Sequence, residues 1–94
     1  MIGMIEIYSM DNCPYCEKTK DLLYKNNLSY LELKLNRDFN KQILATRLNI
    51  EPTEKITLPQ IFLDNDNIGG YNELKIVMDA VKMMKHMQHM QGAS

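Results

Sequence analysis

Near the N-terminus apolar and polar positions alternate, with Ile5 and Ile7 interleaved with Glu6 and Tyr8. That period of two predicts a strand over about residues 3–8. Ser9 to Asn12 read as loop, and Pro14 suits a first helical position, where its fixed φ fits and its missing N–H costs nothing. Cys13 then falls at the N-cap of a helix running through Tyr15 to Lys25, with Asn26-Asn27 as its stop. From Ser29 to Leu35 the alternation returns, Leu31, Leu33 and Leu35 against Glu32 and Lys34, and predicts a second strand. Strand, crossover helix and strand in this length make a βαβ unit with two parallel strands. Phe39, Ile43, Leu44 and Leu48 then recur at helical spacing, with Asp38 near the start and Pro52 beyond the end, which predicts a helix over about residues 38–49.

The apolar run Leu58 to Leu63, with Pro59 near its start, reads as a strand, and the turn chemistry of Asp64-Asn65-Asp66-Asn67 folds it back onto Ile68 as a hairpin closed by Gly69-Gly70. Leu74, Val77, Met78, Val81 and Met84 define an amphipathic helix from about Asn72 to Met84 or a little later. The remainder, 86–94, lacks an apolar period and reads as a frayed tail. Neither repeat nor linker interrupts the chain.

Ninety-four residues, 45% of them apolar and 24% charged, fit one small domain spanning 1–94 and leave no room for a second. A formal net charge of -1, without a block of one sign, argues against a nucleic-acid or anionic-membrane binder. Apolar stretches fall short of a bilayer span, and the opening Met-Ile-Gly-Met-Ile-Glu lacks the basic stretch of a signal peptide, so a soluble cytoplasmic protein is expected. Two cysteines are too few for a disulfide scaffold, which directs attention to their spacing, Cys13-Pro14-Tyr15-Cys16.

Two thiols separated by two residues at a helix start can close into a disulfide and reopen with little backbone movement. The helix dipole and free N–H groups favour a thiolate at Cys13, as in motifs whose thiols have pKa values of about 3.5 to 7.5. Cys16, one turn further in, is expected to be shielded, so Cys13 attacks and Cys16 resolves. A Cys-x-x-Cys beside a βαβ pattern is the thioredoxin-like redox signature. A zinc site shared with His86 and His89 fits poorly, since most of the chain separates the two halves. Buried structural cysteines fit poorly as well, because Pro14 and the helix start aim Cys13 outward. Met83, Met84, Met87 and Met90 are read as gap-fillers or tail residues rather than a copper site.

Taken together, the motifs resemble the glutaredoxin family of the thioredoxin-like fold. Cys13-Pro14-Tyr15-Cys16 is similar to the dithiol active site, Ile7-Tyr8-Ser9 to the first strand, Thr57-Leu58-Pro59-Gln60-Ile61-Phe62 to the Thr-Val-Pro element, and Ile68-Gly69-Gly70-Tyr71 to the Ile-Gly-Gly turn. The resemblance implies an α/β fold with a four-stranded mixed sheet flanked by three helices, and Pro59 cis and facing Cys13. It implies glutathione as co-substrate and no resident metal. Tyr15, Thr57, Leu58, Pro59, Gly70, Tyr71, Asn72 and Glu73 would bind the tripeptide, Leu58 through its backbone. The first N–H groups of the last helix would take the γ-glutamyl carboxylate, and the glycines would let the backbone approach.

The implied activity is glutathione-dependent thiol–disulfide exchange on protein disulfides and glutathione mixed disulfides, by a monomer, with ribonucleotide reductase as one recipient. Two alternatives remain open here: a module holding an iron–sulfur cluster between subunits, which Pro14 disfavours, and a thioredoxin-type reductant fed by a reductase, which Tyr15 and Gly69-Gly70-Tyr71 oppose. One departure stands out. Where many glutaredoxins carry Lys or Arg three residues before the first cysteine, this chain has Met10, so Cys13 is expected to be less acidic than in those relatives. Lys55 is read as a surface lysine near the place of a second basic residue of the family.

Overall fold

A computed structural model describes the backbone of residues 3–92, with side chains through Met84 toward the C-terminus. The elements are β1 (Ile5–Ser9), α1 (Pro14–Lys25), β2 (Leu31–Lys34), α2 (Lys41–Leu48), β3 (Gln60–Leu63), β4 (Asp66–Gly69) and α3 (Tyr71–Gly92). The sheet order is β2-β1-β3-β4. β1 pairs parallel with β2 and antiparallel with β3, and β3 pairs antiparallel with β4. This is the mixed four-stranded sheet with three helices that the sequence implies.

Strand alternation sends side chains to two covered faces. Ile5, Ile7 and Ile61 join Leu23 of α1 with Leu74 and Met78 of α3 in one core cluster. Tyr8 and Phe62 join Phe39 and Leu44 in a second. The nominally polar face of β1 is therefore also packed. Tyr8 lies edge-on to Phe39 and Phe62, and Arg47 of α2 stacks over Phe62 at 3.9 Å while its guanidinium reaches both Glu6 oxygens at 2.7 and 3.0 Å. Of the leucines on β2 and its end, Leu33 and Leu35 pack against this second cluster, whereas Leu31 is exposed.

Boundaries of α2, of the hairpin turn and of the last helix differ from the sequence expectation, each for a local reason. α2 starts at Lys41 behind the N-cap Asn40, whose Oδ1 accepts from Ile43 N–H at 2.9 Å. Asp38 is used elsewhere, accepting from Lys34 N–H and the Arg37 guanidinium. Phe39 bridges to Leu35 and buries its ring instead of entering the helix. Asn49, in the left-handed conformation at φ 59°, ends α2 before Pro52 is reached. In the hairpin, Asp64 and Asn65 alone make the turn, both with positive φ, as a two-residue loop matched to strand twist requires, and Asp66 and Asn67 enter β4. α3 continues past Met84 to Gly92, because no proline intervenes and Lys85 with the methionines and glutamines there are good helix formers. Residues 93 and 94 of the expected tail lie outside the described residues.

Candidate active site

The turn from β1 into α1 presents the cysteines. Asn12, at φ 56°, redirects the chain, and Cys13 caps α1 with an extended backbone while Pro14 occupies the first turn. Cys13 and Cys16 are joined in a disulfide with Cα atoms 5.2 Å apart. The Cys13 sulfur accepts from the Cys16 N–H at 3.2 Å, so the helix start already offers a donor where a thiolate would form. Cys13 keeps 6% exposure against 1% for Cys16, the order expected of an outer and an inner sulfur. Across from them the Leu58–Pro59 peptide is cis, and the Leu58 carbonyl oxygen lies 3.8 Å from the Cys13 sulfur.

On the other side of that carbonyl, Tyr15, Thr57, Leu58, Pro59, Gly70, Tyr71, Asn72 and Glu73 line one cleft of about 270 Å³. These are the eight residues assigned to tripeptide binding from sequence, drawn from α1, the segment before β3 and the start of α3. The Tyr15 and Tyr71 rings form one wall, their centroids 6.0 Å apart, and Lys18 sits 5.0 Å over the Tyr15 ring. Gly70 lets the chain approach closely: a Cβ there would lie 3.4 Å from the Pro59 carbonyl oxygen. Gly69 takes φ 105°, a conformation that only glycine adopts without strain. Beyond them α3 opens with N–H groups at Tyr71, Asn72 and Glu73 that no preceding helical turn can satisfy, while Glu73 folds back to accept from Gly70 N–H.

A glutaredoxin family model matches residues 5–68, which includes both cysteines and the Thr57-Leu58-Pro59 segment. The chain is 37% identical over 74 residues to glutaredoxin 1 of Rickettsia bellii, covering 79% of this chain and 76% of that one. It is 36% identical over 70 residues to glutaredoxin 3 of Escherichia coli K12, covering 74% and 80%. The crystal structure of glutaredoxin 1 from Francisella tularensis complexed with cacodylate superposes with a TM-score of 0.65 at 30% identity, over 83% of this chain and 94% of that one. The chain belongs to the glutaredoxin family. With its Cys13–Cys16 pair it is a thiol–disulfide oxidoreductase on the thioredoxin-like fold.

This glutaredoxin carries a second arrangement around its cysteines that sequence reasoning missed. Cys13 itself opens on a groove of about 410 Å³ on the side away from Tyr71, shared with Met10, Asp11, Glu17, Lys20 and Lys34. Its charges are internally paired. Lys20 bridges Glu17 and Glu32, Lys34 meets Asp11 at 2.9 Å, and the fully buried Ser9 hydroxyl donates to Glu32 at 2.7 Å. Burial pushes the Glu32 carboxyl up, but hydrogen bonds from Ser9 and Lys20 outweigh it and leave the pKa below the usual value. In the β1–β2 register Glu32 pairs with Ile7 and Ser9 with Lys34, so the meeting of Glu32 with Ser9 and Lys20 is tertiary and no periodicity reveals it. Lys55 is exposed and lines neither groove nor cleft.

Proposed function

We propose that the protein is a glutathione-dependent reductase of protein disulfides and glutathione mixed disulfides, with Cys13 as nucleophile and Cys16 as resolving thiol. The observation that carries this reading is the cleft that runs from the Leu58 carbonyl beside Cys13 to the first turn of α3. The Leu58 backbone lies where it can pair with a cysteinyl main chain, the Tyr15 and Tyr71 rings flank the cleft, and the α3 N–H groups suit a terminal carboxylate.

In the reaction so read, the Cys13 thiolate attacks one sulfur of the substrate disulfide. That S–S bond breaks, its electron pair leaves on the other substrate sulfur as a thiolate, and Cys13 is held in a mixed disulfide. The Cys16 thiolate attacks Cys13, releases the second substrate thiol and leaves the Cys13–Cys16 disulfide. Two glutathiones restore the dithiol in turn and depart as one glutathione disulfide. Family potentials of about -200 to -230 mV lie near that couple, so the exchange runs on small driving forces. For glutathionylated substrates Cys13 alone suffices. A cytoplasmic monomer, with ribonucleotide reductase among its acceptors, completes the reading.

The test is reduction of a protein disulfide with glutathione, glutathione reductase and NADPH, against thioredoxin reductase and NADPH without glutathione. Turnover in the first mixture only supports the proposal; turnover in the second only overturns it. Cys13→Ser is expected to abolish activity on every substrate. Cys16→Ser is expected to keep activity on glutathione mixed disulfides and lose it on protein disulfides.

A further inference from the structure

Cys13 has a third neighbour besides the cleft and the charged groove. An apolar depression of about 370 Å³ lies between β2, the start of α2 and the Ile56-Thr57-Leu58 segment. Phe39 and Leu44 form its floor at 5% and 2% exposure, so it is built by the second core cluster and does not depend on a ligand to form. Leu35, Ile56 and Leu58 are half-buried around it, and Met10 stands at the edge, 41% exposed. Lys41 is the single charged residue of the lining.

The position of this depression matters more than its size. Leu58 and Thr57 line both it and the cleft that faces Tyr71, so the two are separated only by the peptide whose carbonyl touches the Cys13 sulfur. Met10 lines both it and the groove onto which Cys13 opens. Any chain joined to Cys13 through sulfur therefore has the depression within one or two residues' reach. The cleft ends on the first turn of α3 with its polar residues; the depression is lined mostly by aliphatic and aromatic side chains, with Thr57 and Lys41 its polar members and a flexible methionine at the rim.

We propose that this depression selects protein substrates: it takes an apolar side chain one or two residues from the substrate cysteine that Cys13 attacks. The proposal rests on Cys13 as the nucleophile and adds the partner's chemistry, an extended polypeptide with a Leu, Met or Phe beside its reactive cysteine. Seating such a side chain removes apolar surface on both partners from water before sulfur exchange, so its effect falls on KM.

The test uses two disulfide-bonded peptides that differ only in carrying Leu or Gln next to the cysteine, reduced in the glutathione-coupled assay. For the unaltered protein, kcat/KM for the Leu peptide is expected to exceed that for the Gln peptide by roughly tenfold, the low end of what one methylene is worth in an apolar pocket, with the difference in KM. In Met10→Gln and in Ile56→Gln the preference is expected to fall to about twofold or less. Met10 is exposed, so its replacement leaves the core untouched, and a circular-dichroism melt qualifies the Ile56 variant. Equal rates for both peptides with the unaltered protein, or a preference that survives in both folded variants, overturns the role of the depression while leaving the oxidoreductase reading intact. Turnover that persists in Cys13→Ser overturns the reading beneath it.

Discussion

The Glu73 carboxylate accepts a 2.7 Å hydrogen bond from the Gly70 N–H, closing the first turn of α3 back on the glycine pair that precedes it. The bond satisfies one donor of the helix start and brings a negative charge to the end of the cleft, where the neighbouring N–H groups favour an anion. The γ-glutamyl end of glutathione bears both a carboxylate and an ammonium, and in the proposed glutathione-dependent reaction the helix start and Glu73 would each take one.

Glu73→Ala is therefore expected to raise KM for glutathione by roughly three- to tenfold with kcat changed little, reflecting the loss of a charge-assisted contact. Glu73→Gln, which preserves an acceptor for Gly70, is expected to fall between. Steady-state kinetics on both variants check this. An unchanged KM in both would reduce Glu73 to a helix cap.

The two glycines should respond differently to a single methyl group. At Gly70 a Cβ would meet the Pro59 carbonyl oxygen at 3.4 Å and Glu73 Oε1 at 3.5 Å, tight yet tolerable, so Gly70→Ala is expected to fold and to bind glutathione several-fold more weakly by narrowing the cleft. At Gly69 φ is 105° and the Cβ would lie 2.7 Å from Glu73 Oε1, so Gly69→Ala is expected to lose about 1–3 kcal/mol of stability. Denaturant midpoints and isothermal titration with glutathione separate the two effects.

Met10 shares the groove onto which Cys13 opens, and the lysines there are engaged, Lys34 by Asp11 and Lys20 by Glu17 and Glu32. A new cation at this exposed position favours the thiolate, with screening by salt limiting the effect. Met10→Lys is expected to lower the Cys13 pKa in the reduced protein, read from thiolate absorbance against pH. An unchanged or higher value would show that Met10 leaves the sulfur's electrostatics untouched.

Stability should fall in acid through Glu6 and Glu32. The Glu6 pKa is held below the usual glutamate value by hydrogen bonds from Arg47, and that of Glu32 by Ser9 and Lys20 against the opposing effect of burial. Folded values lower than unfolded ones mean that the stabilisation is complete above the unfolded pKa and is lost as pH drops through the folded one. Urea midpoints should accordingly decline below about pH 4.5. Glu6→Gln is expected to cost about 1–3 kcal/mol at pH 7 and to make that decline shallower. An acid limb as steep as that of the unaltered protein would remove Glu6 from the account.

Local chemistry made the cysteine site legible: Pro14 and the Asn26-Asn27 stop bound α1, and spacing alone put Cys13 at its cap. The cleft was legible through motif resemblance, since Tyr15, Leu58 and Tyr71 are far apart in sequence and meet only through β1–β3 pairing and the packing of α3. What stayed hidden were side chains whose meaning is tertiary. Phe39 keeps helical spacing with Ile43 yet belongs to a loop that plugs the core beside Tyr8. Glu6 falls on the polar side of its strand and Arg47 belongs to no motif, yet together they clamp α2 to the sheet. Glu32 lay on the polar side of its strand, but that side faces Ser9 and Lys20 rather than water.

The carbonyl of Leu58 sits between the Cys13 sulfur, the cleft and the apolar depression, and it belongs to the main chain. A saturation screen of side chains would leave it in place at every variant of residue 58, so the position would score as a tolerant hydrophobic site. Its contribution becomes visible only when the peptide group itself is altered, as by exchanging that carbonyl oxygen for sulfur in a thioamide through chemical synthesis, which leaves Pro59 intact.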